Sequence, residues 1–254
     1  MRIVSYNILD GGEGRADPLA EVIEAQRPDV VALVEADNAA VVERIAGRMK
    51  MEFILAQGRR HGAAILSRGS ILESVNHSLL RDEFSDCALE ATVAGPGGAQ
   101  WTLAAIHLHP RARLEDEARR EREIEGILEI FSRHRKENRP HLLAGDFNSN
   151  SPIQKVDPQK CKARTREDIA ANGGVLPRSA IQKLLDAGYV DSLQARLGAE
   201  AGTIGSFTTQ YPGQRVDYIF LHGIEGGRVK EAKVEQDRLA KYASDHFPVV
   251  VEID

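Results

Sequence analysis

Cysteine is nearly absent from this chain of 254 residues: Cys87 and Cys161 are the only two. A disulfide scaffold is thereby excluded, and the pair matches no metal or redox spacing. Cys87 lies in an apolar run and reads as a small core residue. Long hydrophobic runs are missing as well; none approaches the roughly 18 residues of a membrane span. Met1-Arg2 leads directly into Ile3-Val4-Ser5-Tyr6-Asn7-Ile8, which lacks the length and the cleavage site of a secretory signal. These absences lead us to expect a cytoplasmic protein in a reducing compartment. Positive charge is not in excess either: 33 Lys and Arg against 38 Asp and Glu give a net charge of -5. That balance argues against a protein that coats nucleic acid nonspecifically, not against an enzyme that grips a phosphate locally. No protein partner is evident, and a monomer is expected.

What is present is the ordinary mixture of a globular chain, 42% hydrophobic and 28% charged. Residues 2–8 alternate, with Val4, Tyr6 and Ile8 on one face and Ile3, Ser5 and Asn7 on the other, as in a strand. Gly11, Gly12 and Gly14 make a loop. Asp17-Pro18 reads as a helix cap followed by Pro at the first helical position, and Pro28 stops that helix. A buried strand over 29–34 ends at Glu35, and a second helix is expected over 37–50. Strands are expected over 53–56, 63–67, 71–77, 88–94 and 101–107. Residues 114–135 carry the longest helical period, and 141–146 read as a buried strand. Residues 149–176 are polar and aperiodic and read as a long loop. A helix over 177–187 and strands over 216–221, 228–234 and 247–253 complete the chain. No linker or repeat divides it, so one domain over 1–254 is expected, with two packed sheets and helices outside.

Polar residues cluster at the strand ends. Asn7, Glu35, Gly145-Asp146-Phe147-Asn148 and Ser244-Asp245-His246 stand at strand ends, and Asp217 lies among apolar neighbours in Arg215-Val216-Asp217-Tyr218-Ile219-Phe220. Burying a carboxylate is costly unless it is paired or binds metal. His107 resembles Asp217 in closing an apolar strand. Glu35, Asp146, Asp217 and Asp245 together would repel one another, and a hard divalent ion such as Mg²⁺ would resolve the conflict. No Cys/His set of the kind zinc prefers is present. His246 follows Asp245 directly, so in extended chain the two point apart. His246 is therefore expected to pair with another carboxylate, Asp217. Asp146 and Asn148, two apart, are expected to face the same way. Each residue also has an ordinary reading: Asn7 as a turn residue, Glu35 as a helix N-terminal charge, Asp217 as the same-face partner of Arg215, His246 as a half-buried histidine.

Taken in order, Asn7, Glu35, Gly-Asp-Phe-Asn at 145–148, Arg-Val-Asp-Tyr-Ile at 215–219 and Ser-Asp-His at 244–246 resemble the motifs of the endonuclease/exonuclease/phosphatase (DNase I-like) family of metal-dependent phosphohydrolases. The resemblance spans nearly the whole chain. It implies an α/β fold, a four-layer α-β-β-α sandwich of two mainly antiparallel or mixed sheets. It also implies Mg²⁺ or Mn²⁺ as cofactor, with Glu35 as the main ligand assisted by Asn7 and Asp245. Asp146 would position or deprotonate the attacking water, Asn148 would hold that water or the phosphate, and Asp217 would orient His246. Whether His246 serves as base or stabiliser stays open. His107 is similar to the His of the DNase I and sphingomyelinase branches, where the apurinic-endonuclease branch usually has Tyr. Gln214-Arg215-Val216-Asp217 departs from the Trp-Cys-Asp-Arg type of the inositol-polyphosphate phosphatases.

The expected reaction is in-line attack of water on phosphorus. The expected substrate is a phosphoester, in first place a nucleic acid. Lys155, Lys160, Lys162, Arg164 and Arg166, with Arg59, Arg60, Arg111 and Arg113, favour that reading. Arg111, His109, Lys160 and Lys162 are the candidate substrate contacts. A small or lipid phosphoester, or a silent binding protein of the same fold, are the alternatives. His61, His77, His134, His141 and His222 carry no functional claim.

Overall fold

A computed structural model describes the backbone of residues 1–254 and every side chain except that of Pro96. One sheet contains β1 (Arg2–Asn7), β2 (Val30–Val34), β3 (Glu52–Ala56), β4 (Ala63–Ser67), β11 (Val229–Val234) and β12 (Val249–Ile253). The other contains β5 (Ile71–Asn76), β6 (Cys87–Ala94), β7 (Gln100–His107), β8 (His141–Asp146), β9 (Val190–Asp191) and β10 (Asp217–His222). Their orders are β11-β12-β1-β2-β4-β3 and β5-β6-β7-β8-β10-β9. Each sheet has one parallel pair, β1 with β2 and β7 with β8, and is otherwise antiparallel. Parallel neighbours need a crossover. Helix α1 (Ala16–Ala25) supplies the first, and α3 (Leu114–Ile130) with α4 (Ser132–Lys136) the second.

The two-residue period of each strand decides which side chain faces which layer. Ile3, Val30, Ala32, Leu103, Ala105, Leu142, Ala144, Ile219, Leu221 and Val251 meet in one buried cluster between the sheets. Val4, Tyr6, Val31 and Leu33 point the other way, against Leu19 and Ile23 of α1 and Val42 and Ile45 of α2 (Ala39–Met49). Ala104, Ile106, Leu143 and Phe220 likewise meet Ile124 and Ile127 of α3 and Ile181 and Leu184 of α6 (Ser179–Asp186). The result is a four-layer α-β-β-α sandwich. The same parity sends Asn7, His107, Asp146 and Asp217 toward the inter-sheet layer, where the apolar filling ends. Gly145 permits this at β8: its φ is 144°, and a Cβ would lie 1.9 Å from the Ile106 carbonyl oxygen of β7.

Several expectations need correction. Residues 149–176 are not one long loop; α5 (Ala163–Ala171) lies within them. This helix has almost no apolar stripe to signal it: its buried residues are Asp168 and Ile169. The helix expected over 114–135 is broken at Phe131 into α3 and α4. Helix α1 begins at Ala16 and has no side-chain cap, so Asp17 lies in its first turn. Asp217 opens its strand and is not interior to it. Three short elements, β9, α7 (Ser192–Leu197) and α8 (Ala240–Ala243), add to those the sequence predicts. No described helix is long and apolar enough to cross a membrane.

Candidate active site

The two parallel pairs end side by side. Register sets Asp146 opposite His107 on one flank and opposite Asp217 on the other. Asn7 ends β1, and Glu35 follows β2 immediately. Ser244 ties in the last segment: its hydroxyl donates to the Asn7 carbonyl at 2.7 Å and accepts the His246 N–H at 3.3 Å. The backbone here is strained. Leu9, Asp10, Glu35 and Asn148 are four of the eight non-glycine residues with positive φ among those described, and all four line one cavity of about 490 Å³. Strain of this kind persists only where the surroundings over-determine it, and it clusters at functional sites.

Asp146 is the hub. Its Oδ2 accepts the Asn7 amide at 3.2 Å and lies 3.6 Å from His107 Nε2 and 3.7 Å from His246 Nε2. Its Oδ1 accepts the Asn148 backbone N–H at 2.8 Å. His246 Nδ1 pairs with Asp217 Oδ2 at 2.9 Å, which leaves Nε2 facing Asp146. Burial and the facing Asp217 push the Asp146 carboxyl above the usual range, although His246, His107 and the Asn148 N–H pull the other way. Burial alone would lower the His246 pKa; Asp217 and Asp146 more than reverse it, so the imidazole holds its proton above the ordinary value.

Glu35 stands on the other wall. Its Oε1 accepts the Asn7 amide at 2.9 Å and its Oε2 the Asp10 N–H at 2.8 Å. Burial raises its pKa, but His107, these two donors and His61 outweigh it, and the carboxylate stays ionised. Asp245 keeps one buried oxygen, Oδ1, without a hydrogen-bond partner, as does Asp217. Asp10, Glu35 and His61 present ligand atoms within 4.8 Å of one another, and so do Asp146, Asp217 and His246. An oxygen-rich donor set with unsatisfied buried carboxylate oxygens fits a hard divalent cation.

Not every candidate reaches this cavity. Glu35, His107, Asp146, Asn148, Asp245 and His246 line it, and Asn7 and Asp217 stand behind them, bonded to Glu35, Asp146 and His246. Lys162 joins them: its ammonium bonds Asp245 Oδ2 at 2.9 Å and lies 4.4 Å over the Phe207 ring. Phe207 in turn packs against the His246 ring, centroid to centroid 4.5 Å. Arg111 is not among the residues lining this cavity; the Nε–Nη2 edge of its guanidinium donates to Asp168 at 3.0 and 2.7 Å. His109 is tied to Asp116 at 3.0 Å and, through its N–H, to Glu123. Lys160 borders a different cavity. Asn148 does not extend alongside Asp146: its φ is 50°, and its amide donates to the Leu108 carbonyl at 3.0 Å. Arg215 is no surface partner of Asp217; it is buried and bonds Asp191 at 2.6 and 3.0 Å.

Sequence reading missed Asp10, His61 and Phe207 as cavity residues and gave Arg60 no specific place in it. His61 arrives on the β3–β4 connection and is held by Asp37 at 2.8 Å, which pushes its pKa up to about 8. Arg60 is anchored by the buried Asp86. No periodicity signals either residue, since both depend on how the hairpin folds over the strand ends.

No curated protein matches the chain. Among solved structures, the 3' phosphatase NExo from Neisseria, bound to a product DNA hairpin, is similar at TM-score 0.73 and 21% identity, covering 100% of this chain and 99% of that one. An AP endonuclease from Archaeoglobus fulgidus gives 0.72 and 21%, with 100% and 99% covered. The catalytic domain of Xenopus laevis APE2 gives 0.71 and 17%, with 100% and 91% covered. These likenesses show the fold. The sequence profile of the Endonuclease/Exonuclease/phosphatase family matches residues 4–246. The chain therefore belongs to that family and is, like its members, a metal-dependent phosphohydrolase.

Proposed function

We propose that the chain is a Mg²⁺- or Mn²⁺-dependent nuclease or related phosphodiesterase, one catalytic domain over residues 1–254. The observation that carries this reading is the grouping at Asp146: a buried carboxylate with a raised pKa, facing two imidazoles at 3.6 and 3.7 Å. A general base works best with a pKa near the operating pH, and Asp146 is shifted in that direction. It takes the proton of the attacking water. His246, held protonated by Asp217, donates from Nε2 to the phosphoryl oxygens. The role of stabiliser fits it better than that of base. His107 assists from the other side, and Asn148 limits where the water or phosphate can sit. Glu35, Asn7 and Asp245 would hold the divalent ion, which when bound supplies Lewis-acid polarisation of the phosphoester.

Nucleic acid is the favoured substrate because cations gather at this cavity in an otherwise acidic chain. Arg60, Lys162 and Arg164 line it. Two of the similar structures are described as a 3' phosphatase bound to a DNA hairpin and an AP endonuclease. The test offers purified protein supercoiled plasmid, single-stranded oligonucleotide, a chromogenic phosphodiester and a chromogenic monoester, with Mg²⁺ or Mn²⁺ and with EDTA. His246→Ala is the control. Chelator-sensitive, His246-dependent cleavage of nucleic acid is expected. Turnover confined to the small esters would refute the nuclease reading.

A further inference from the structure

Beside the active site lies a second and larger cavity, of about 600 Å³. Leu9, Lys162 and Asp245 line both, so the two share a wall. Its size falls among small-ligand sites, roughly 300–1,000 Å³. We propose that this cavity takes an unpaired nucleobase next to the scissile phosphate, so that the strand enters single-stranded on that side. The inference rests on the nuclease reading above and narrows its substrate.

The tyrosines point to this occupant. Of the five, Tyr6, Tyr189 and Tyr218 are buried. The other two, Tyr211 and Tyr242, are 65% and 70% exposed, and both line this one cavity. An aromatic ring left in water forgoes the burial that normally stabilises it, so two such rings at one cavity call for a partner. Both sit on held backbone. Tyr242 lies in α8, whose Ala240 and Ala243 are buried, which fixes the ring's outward direction. Tyr211 sits in a turn: its N–H donates to Thr208 Oγ1 at 3.2 Å and its carbonyl accepts the Gly213 N–H at 2.7 Å.

Charge agrees with the rings. Arg15, Lys162, Arg166 and Lys241 line the cavity against one carboxylate, Asp245. Arg15 is spent on the carbonyls of Ile8, Leu9 and Ala243, and so builds the wall while keeping its charge. Lys241 makes no ion pair among the described residues and is free to meet a phosphate. Exposed aromatic faces combined with a cationic groove bind single strands with little sequence preference, because every base has a π-face. A duplex keeps its bases stacked on one another and offers these rings nothing to stack on.

The test uses fluorescein-labelled single-stranded octamers, in which each nucleotide in turn is replaced by an abasic analogue. Kd by anisotropy in EDTA and KM with Mg²⁺ are measured for the wild type, Tyr211→Ala/Tyr242→Ala and Tyr211→Phe/Tyr242→Phe. Removing the base at one position beside the cleaved bond is expected to weaken wild-type binding by about 5- to 150-fold, the range for one stacked base. The alanine pair should lose a similar factor with the intact strand and become indifferent to the abasic position. The phenylalanine pair should behave as wild type. Competition by a nucleoside monophosphate at concentrations that displace the octamer would identify a free nucleotide as the occupant and overturn the strand. A flat abasic scan in an enzyme that cuts the octamer overturns this inference alone. Failure to bind or cut any octamer, with the chromogenic diester still hydrolysed, overturns the nuclease reading and this inference with it.

Discussion

Replacing Asp217 by Asn removes one charge from the site and almost no volume. In the native arrangement the carboxylate lies 2.9 Å from His246 Nδ1 and is the largest influence raising that imidazole's pKa. At an effective dielectric of about 20, the attraction of such a pair is about 6 kcal/mol before desolvation is charged against it. Asparagine can keep the hydrogen bond but not the charge. Burial then acts on His246 opposed mainly by Asp146, and the pKa moves down toward the ordinary value of about 6.5. The same substitution removes the charge that most raises Asp146, whose pKa also falls. The proposed mechanism needs Asp146 ionised and His246 protonated, so in it the acid limb follows Asp146 and the alkaline limb follows His246. Both limbs, and the whole bell between them, shift to lower pH. At mildly alkaline pH the rate should fall by about 10²- to 10⁴-fold, the range for a mispositioned acid–base group, while KM changes less. The assay is kcat and kcat/KM on a phosphodiester from about pH 5 to about pH 11, with a melting curve to confirm folding. A bell that stays in place, or a loss below about threefold, would refute this account of the pair.

Two further predictions concern the supports of the site. Asp168 clamps α5 to the 111–113 segment, accepting from Arg111, Arg113 and the Ala112 N–H, and Arg111 is the main cause that pulls its pKa to about 2. A folded-state pKa below the unfolded value gives stability that is present above about pH 4 and lost as pH falls toward 2. Asp168→Asn should cost about 2 kcal/mol at neutral pH, and the difference from wild type in denaturant titrations should vanish at the acid end. Arg215→Ala would strand the buried Asp191 carboxylate, which also caps α7 through the Leu193 and Gln194 N–H groups. Breaking a buried pair by removing one partner costs about 3–5 kcal/mol, read as a lower urea midpoint with an unchanged slope.

The parts of this molecule legible in the sequence are those governed by short-range periodicity. Two-residue alternation in β1 separates its two faces and puts Asn7 with Ile3 and Ser5, whereas β2, β7 and β8 are legible as apolar runs whose polar ends, Glu35, His107 and Asp146, stand out. The pairing of His246 with Asp217 follows from the opposite sides taken by neighbours in extended chain. Glu35 is visible as a carboxylate directly after an apolar strand, and Asp245 as one shortly before the last strand, positions where a carboxylate needs a reason to be. What stayed hidden depends on distant chain. Helix α5 is stabilised by the Asp168 clamp rather than by an apolar stripe, so it leaves no 3.6-residue signal, and the clamp uses the very Arg111 that looked free to hold substrate. Arg215 sits beside Asp217 in sequence, yet its partner Asp191 is 24 residues away. His61 and Arg60 lie on a hairpin connection whose fold over the strand ends no local pattern encodes.

The central claim is that water attacks phosphorus at a site whose proton acceptor is Asp146. Hydrolysis of a defined phosphodiester in ¹⁸O-labelled water, under single turnover with Mg²⁺, tests it most directly in the wild type and in Asp146→Asn. The account predicts one ¹⁸O in the phosphate-bearing product and none in the alcohol, with the variant slower by about 10²- to 10⁴-fold. Label in the alcohol, or a variant as fast as wild type, would contradict it.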